Sequence, residues 1–326
     1  MDVLGVDLAK LSFDATLRTA AGVQHHRSFA NSPAGFTHLE AWLEQHGVQQ
    51  FHACMEATNV YWQGLATFLY AKGHTVSVVN PARIKGFAQA TMQRNKTDKL
   101  DSAVIAWFCA SHQPEPWEPL SEPHQRLRAL VRHRDDLLQT RLQQQNRLRD
   151  TTDPLVVTSL EAVLEVVAKQ VKEVERSISE HIAAHSELQT NFKLLTAIVG
   201  IATITAAKLL AEFADFEQYE SAKAAAADAG LTPSHYESGT SVRRRSRLSK
   251  MGKAEIRAAL YFPAITAMKR CPAFKEFAER LAQRGKPKKV IIGAVMRKLV
   301  HVVYGVLKHK TAYDPAKVLG PARKGT

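Results

Sequence analysis

Four carboxylates in the first third of this 326-residue chain have the types and spacing to hold a divalent metal. Asp7 lies in GVDLAK and Glu56 in ACMEAT, each at the end of a short apolar, strand-like run. Asp98 and Asp101 lie in NKTDKLDS, at the start of a helical pattern. A spacing of three puts both on one helix face, one turn apart. Four acids on one patch repel each other unless a cation holds them. Hard oxygen donors suit Mg²⁺ (or Mn²⁺), which keeps several waters and bridges phosphate oxygens. Such a site can stabilise the attacking and leaving oxygens of a phosphoryl displacement. Each acid also has a plainer reading. Asp98 could be a first-turn helix acid behind a Thr97 cap, Asp101 a solvated surface group, and Glu56 a helix cap. Asp7 is harder to explain that way, because it interrupts an apolar strand. Asp14, in SFDATL, alternates with Phe13 and Ala15. It is expected on an outward face and so outside the constellation.

The second stretch with chemical potential is GLTPSHYESGTSVRRRSRLSKMGK. A serine attacks a phosphodiester when its proton is taken and the phosphate charge is neutralised. Ser238 sits between Glu237 and Gly239, close to an arginine run. The alternative is a glycine-containing surface turn whose hydroxyls position a phosphate without reacting. Arg243, Arg244, Arg245, Arg247, Lys250 and Lys253 fall within eleven residues, and with Lys96 they are candidates for nucleic-acid backbone contacts.

Net charge is +13 and unevenly placed. Residues 241–310 hold 19 Lys and Arg against 3 Asp and Glu, whereas residues 1–240 hold 22 against 27. The C-terminal third is therefore expected to meet a polyanion. Three scattered cysteines, Cys54, Cys109 and Cys271, fit reduced thiols in a cytoplasm and no zinc motif. The N-terminus MDVLGVDLAK lacks the apolar region of a signal peptide, and no apolar run is read as long enough to span a membrane. No GxxxxGK[ST] nucleotide motif is present.

The elements that must position these groups can be read in outline. Strands are expected at 3–8, 12–18, 23–30, 51–55 and 75–79, with one helix from a Ser32 cap through Phe36, Leu39, Trp42 and Leu43 and others at 61–71, 82–92 and 98–112. Three strands, then helix, strand, helix, strand, helix is a ribonuclease-H-like layout, with the first and fourth strands adjacent. That adjacency brings Asp7 and Glu56 to one sheet edge. The proline-rich segment 112–122 reads as a linker. Helices follow at 124–150 and, after Asp153-Pro154, over a heptad seam of Leu160, Leu164, Val167, Val171, Val174, Ile178 and Ile182. That seam fits an antiparallel hairpin within the chain or a dimerising coiled coil. LLTAIVGIATITAAKLLAEF reads as two helices around Gly200, either a helix-hairpin-helix element or a buried helical turn. A small helix ending near Gly230, a loop at 231–247, helices at 253–270 and 289–307, and a loose tail complete the outline.

In combination, GVDLAK, MEATNVYW, VNPARIKGFAQ, RNKTDKLDS, GLTPSHYESGTSV, RLSKMGKAEIRAALY and VMRKLVHVVYGVLK resemble the insertion-sequence-one-ten family of DEDD transposases, which includes the Piv-type invertases. The resemblance covers nearly the whole chain. It implies a RuvC-like N-terminal domain over 1–115, whose acids, Asp7, Glu56, Asp98 and Asp101, bind Mg²⁺. A helical coiled-coil segment over 116–190 follows, then a mostly α-helical transposase domain over 191–310 and a tail over 311–326. It further implies that Ser238 is a nucleophile forming a phosphoserine link, and that donor and target DNA are paired by a bridge RNA. Homodimers or tetramers would join the metal domain of one protomer to the serine domain of another. A junction-resolvase-like nuclease and a non-catalytic nucleic-acid-binding protein are the competing expectations.

Overall fold

The computed structural model describes residues 1–318 apart from 58–59, 92–97, 214–215, 217–218, 235–236, 239–241, 244–246 and 250. At 98–99, 237–238 and 242–243 it describes the backbone alone. The chain divides into two compact units, Met1–Pro119 and Leu120–Thr326.

The first unit is built on a five-stranded sheet of order β3-β2-β1-β4-β5. Strands β1 (Asp2–Leu8), β2 (Ser12–Arg18) and β3 (Gln24–Ala30) form an antiparallel meander. Strands β4 (Phe51–Glu56) and β5 (Thr75–Val79) continue it in parallel with β1. This is the expected layout. The crossover helices α1 (Pro33–Gln45) and α2 (Gln63–Ala71) close one face over Leu4, Val6, Phe13, Leu17, Phe51 and Met55. Helices α3 (Pro81–Ala90) and α4 (Asp98–His112) close the other over Val3, Cys54 and Val79. Local chemistry starts these helices. Ser32 Oγ accepts from Gly35 N at 3.3 Å ahead of Pro33, and Asn80 Oδ1 accepts from Ala82 N at 2.8 Å ahead of Pro81.

The segment read as a linker is instead bound to the sheet. Trp117 N donates to Val76 O at 2.6 Å, and Ser77 Oγ lies 2.8 Å from Pro114 O and 2.7 Å from Glu115 O. The Trp117 ring meets Trp62 and Tyr70 edge-on. Its prolines stop helix formation, yet β5 is an edge strand with open backbone groups, and the segment pairs with them.

In the second unit α5 (Glu122–Arg149) and α6 (Pro154–Ala184) pack as an antiparallel hairpin. Asp153 Oδ1 caps α6 by accepting from Leu155 N and Val156 N. Leu160, Val167, Val171, Val174, Ile178 and Ile182 are buried along the seam. The seam is thus used within the chain, the first of its two readings. Helices α7 (Ser186–Thr196) and α8 (Thr203–Glu212) flank Gly200, whose φ is +97°. A Cβ there would lie 2.6 Å from Pro263 O, so glycine is needed both for the turn and for contact with the next helix layer.

Helices α9 (Ala222–Asp228), α10 (Ala254–Arg270), α11 (Pro272–Gln283) and α12 (Lys288–His309) complete the main core. Helix α11 was not anticipated, although Pro272 at its first turn and Phe274 and Phe277 three apart signal it. The expected loop at 231–247 contains nested antiparallel pairs: β6 (Pro233–Ser234) with β9 (Arg247–Leu248), and β7 (Glu237–Ser238) with β8 (Val242–Arg243). The tail is less loose than expected, because Val318 is buried in the core and Tyr313 packs against it. Helix α12 is long and apolar enough, by length and composition, to cross a membrane, contrary to the sequence reading. Over half of that window is buried, with Val295, Leu299, Val300 and Val303 in the core of the unit.

Candidate active site

Asp7 and Glu56 are brought together by strand register. Parallel pairing runs from Asp2 with Phe51 to Val6 with Met55, so the next step sets Asp7 beside Glu56 at the C-terminal ends of β1 and β4. Both are partly buried and on the face opposite the Leu4, Val6 and Met55 core. Each is already engaged with other groups of the protein.

Helix α4 covers that face closely. A Cβ on Gly5 would collide with the backbone of Ser102 and Ala106, so the helix lies directly on the strand. The buried Thr16 Oγ1 and Ser102 Oγ share a 2.8 Å hydrogen bond that fixes the helix along its axis. Asp101 is partly buried next to Ser102, and Asp98 occupies the position one turn before them. The Asp98 side chain lies outside the described residues. Among the described residues no three Asp, Glu, His or Cys side chains converge as a metal site. The donor type nonetheless fits a hard divalent cation, since Asp7 and Glu56 offer carboxylate oxygens on one face.

Another acid shares the face of Asp7 and Glu56. Asp14 stands directly opposite Asp7 in the β1–β2 pair. His26 Nε2 lies 3.0 Å from its Oδ1, and Ser28 Oγ donates to the same oxygen at 2.5 Å. The alternation with Phe13 and Ala15 does set Asp14 on the opposite face, but α4 packs on β2 there and leaves Asp14 only partly exposed. The missed signal was the matching polar alternation of His26 and Ser28 on β3.

Within the second unit the backbone of Ser238 pairs with Val242, and Glu237 pairs with Arg243. The side chains of Ser238 and Arg243 lie outside the described residues, as do Lys96, Arg244, Arg245 and Lys250 entirely. Arg247 is exposed on β9 opposite Ser234. Lys253 is drawn inward. Its Nζ pairs with Asp228 Oδ2 at 2.9 Å, donates to Glu212 O at 3.0 Å, and lies over the Phe213 and Tyr219 rings.

Comparison with known proteins agrees with this arrangement of parts. Residues 4–155 match the DEDD-type transposase model of the IS110 group, and residues 192–279 match the model described as Transposase IS116/IS110/IS902 family. The pilin gene-inverting protein of Moraxella bovis is 33% identical over 314 residues, spanning 95% of this chain and 97% of that one. The transposase for insertion sequence element IS1328 of Yersinia enterocolitica is 26% identical over 204 residues, 54% of this chain and 59% of that one. Among solved structures, Thermus thermophilus RuvC covers 36% of this chain and 100% of its own, at 13% identity and a TM-score of 0.27. That score is too low to carry an argument. The near full-length similarity and the two family matches are sufficient: the chain belongs to the IS116/IS110/IS902 family of transposases.

Proposed function

We propose that this transposase cuts and rejoins DNA with a divalent-metal site on Asp7, Glu56, Asp98 and Asp101 and a serine nucleophile, Ser238. The observation that carries the reading is the register that sets Asp7 beside Glu56 under α4, the helix that begins with Asp98 and Asp101. Mg²⁺ held there would supply charge neutralisation at a scissile phosphate. Asp7 and Glu56 would bind it from the sheet, and Asp98 and Asp101 from the helix. The Ser238 oxygen attacks phosphorus, a Ser–O–P bond forms, one phosphodiester P–O bond breaks, and the departing DNA oxygen takes a proton. Reverse attack by a DNA hydroxyl restores the diester and frees the serine, so bond energy is conserved without a nucleotide cofactor.

Arg243, Arg244, Arg245, Arg247 and Lys250, with Lys96, would position phosphates by salt-sensitive contacts. Lys253 belongs with them less well, because Asp228 already holds its charge. A bridge RNA that pairs donor and target DNA, and a dimer or tetramer that joins the two half-sites across protomers, complete the reading by family resemblance. The test is a denaturing gel of protein mixed with labelled DNA and Mg²⁺. The wild type should give a covalent adduct, and Ser238→Ala should give none. An adduct with Ser238→Ala would overturn the serine assignment. Strand cutting in Ser238→Ala with no adduct would instead favour hydrolysis by the metal site alone. RNA sequencing of the purified protein tests guide dependence.

A further inference from the structure

A cluster of uncommitted charge among the described residues, outside the hairpin at 233–248, centres on α12. Arg297 Nε and His301 Nε2, one helical turn apart, are shielded from solvent and have no hydrogen-bond partner. Lys298 and His301 line a cavity of about 150 Å³ that also takes in Gly305 and Lys317. A Cβ on Gly305 would meet nothing within 4 Å, so the cavity is open over the helix backbone. Asp314 is its one carboxylate, and Asp314 Oδ1 already accepts from Ala316 N at 2.9 Å. No ion pair among the described residues reaches Arg297, Lys298, His301, Lys317 or the nearby Lys223 of α9.

Cations gathered in this way repel one another, and partial burial adds to the cost. Desolvation first, then Arg297, Lys298 and Lys223, holds the His301 ring neutral, down to about 4. Burial and Arg280 lower Lys298 as well. An anion lodged beside Lys298 and Lys317 at the cavity relieves this by screening the repulsion. A phosphodiester offers two free oxygens per link, which an arginine fork and a lysine ammonium match well.

We infer that Arg297, Lys298 and His301, flanked by Lys223 and Lys317, form a phosphodiester cradle on α12 that holds a nucleic-acid backbone without reading its bases. The cradle is separate from the serine hairpin and rests on nucleic acid being the substrate, not on the serine chemistry. Contacts of this kind position a strand and carry no sequence information.

The test is binding of the full chain to a short labelled duplex DNA and to a single-stranded RNA of equal length, each over a salt series. The variant Arg297→Gln/Lys298→Gln should lower the slope of log affinity against log salt by about 1.8 for duplex DNA, or about 1.4 for a single strand. Its melting temperature should hold or rise, because repulsion is relieved. Arg297→Lys/Lys298→Arg should keep the wild-type slope. Gly305→Glu places a carboxylate in the open cavity and should lower the slope while stabilising the fold. A slope lost only with DNA, only with RNA, or with both supports the cradle and names the strand it takes. Unchanged slopes in folded variants overturn it. So does inorganic phosphate that erases the difference between variant and wild type at equal ionic strength, since that marks a site for a free anion. Adduct formation by Ser238 at low salt reads the chemistry independently, so loss of one result leaves the other standing.

Discussion

Asp14 faces Asp7 across the antiparallel β1–β2 pair, on the sheet side that α4 covers. Two carboxylates in directly opposed positions are unfavourable by themselves. Asp14 is tied instead to two residues of β3: Ser28, which faces it in the next strand pair, and His26, which pairs with Thr16. Asp14 thus joins Asp7 and Glu56 on one sheet face, outside the four residues that strand ends and helix spacing suggest.

Removing that carboxylate should weaken cation attraction more than chemistry. Asp14→Ala is expected to raise the Mg²⁺ concentration for half-maximal DNA cutting several-fold, with the maximal rate retained. Stability should fall by about 1–2 kcal/mol, because His26 and Ser28 lose their acceptor. Cutting measured over a Mg²⁺ series checks this. A collapse of the maximal rate at saturating metal would instead make Asp14 a direct ligand.

Asp101 should behave differently. Asp101→Asn keeps the size of the side chain and removes the charge, so cutting should drop by at least about a hundredfold, or about 2.7 kcal/mol in barrier. DNA binding in the absence of metal should be unchanged. Equal losses in binding and cutting would place Asp101 in a structural role.

Gly5 sets the distance between α4 and β1. Gly5→Ala drives a methyl group into the backbone of Ser102 and Ala106, and no flexible side chain can yield. Overpacking of this kind costs about 1–3 kcal/mol. Cutting should fall further than stability alone explains, because α4 carries Asp98 and Asp101. Denaturant midpoints compared with cutting rates of the folded fraction would show the difference.

His301 makes stability depend on pH. Its folded pKa is lowered to about 4 from 6.5, so the folded state binds fewer protons than the unfolded chain. The stability it contributes is complete above about pH 6.5 and is lost as pH falls towards 4. Discounted for the partial exposure of the ring, the loss is about 1–2 kcal/mol. His301→Gln should flatten that part of the stability profile, as read by urea midpoints between those pH values.

The second unit offers a simpler energetic test. Glu212 is 4% exposed and is held in two places, by Arg132 Nε at 3.1 Å and Nη2 at 3.2 Å. Arg132→Ala strands a buried carboxylate between α5 and α8 and should cost about 2–4 kcal/mol. Arg132→Met with Glu212→Leu should recover part of that loss, since it leaves no stranded carboxylate, although Arg128 loses the favourable charge of Glu212. A double-mutant cycle measures the coupling.

The sequence by itself determined most of the elements, though not α11 or the short pairs within 233–248, and the end of the sheet where Asp7 and Glu56 emerge. Apolar runs closed by Asp7 and Glu56, the Ser32-Pro33 and Asn80-Pro81 helix starts, and the heptad spacing of α6 are local signals that packing did not override. Only the tertiary structure decided which faces are covered. Strand alternation separates Asp14 from Phe13 and Ala15 but does not say that a helix lies over both sides. Prolines mark 112–122 as non-helical but do not reveal that an open strand edge waits for its backbone. The heptad seam specifies a partner helix without naming it, and the short turn at Asp153 let α5 supply it. Likewise Arg297 and His301 are ordinary basic residues in the sequence. Contacts among distant segments took their nitrogens out of water and left them without acceptors.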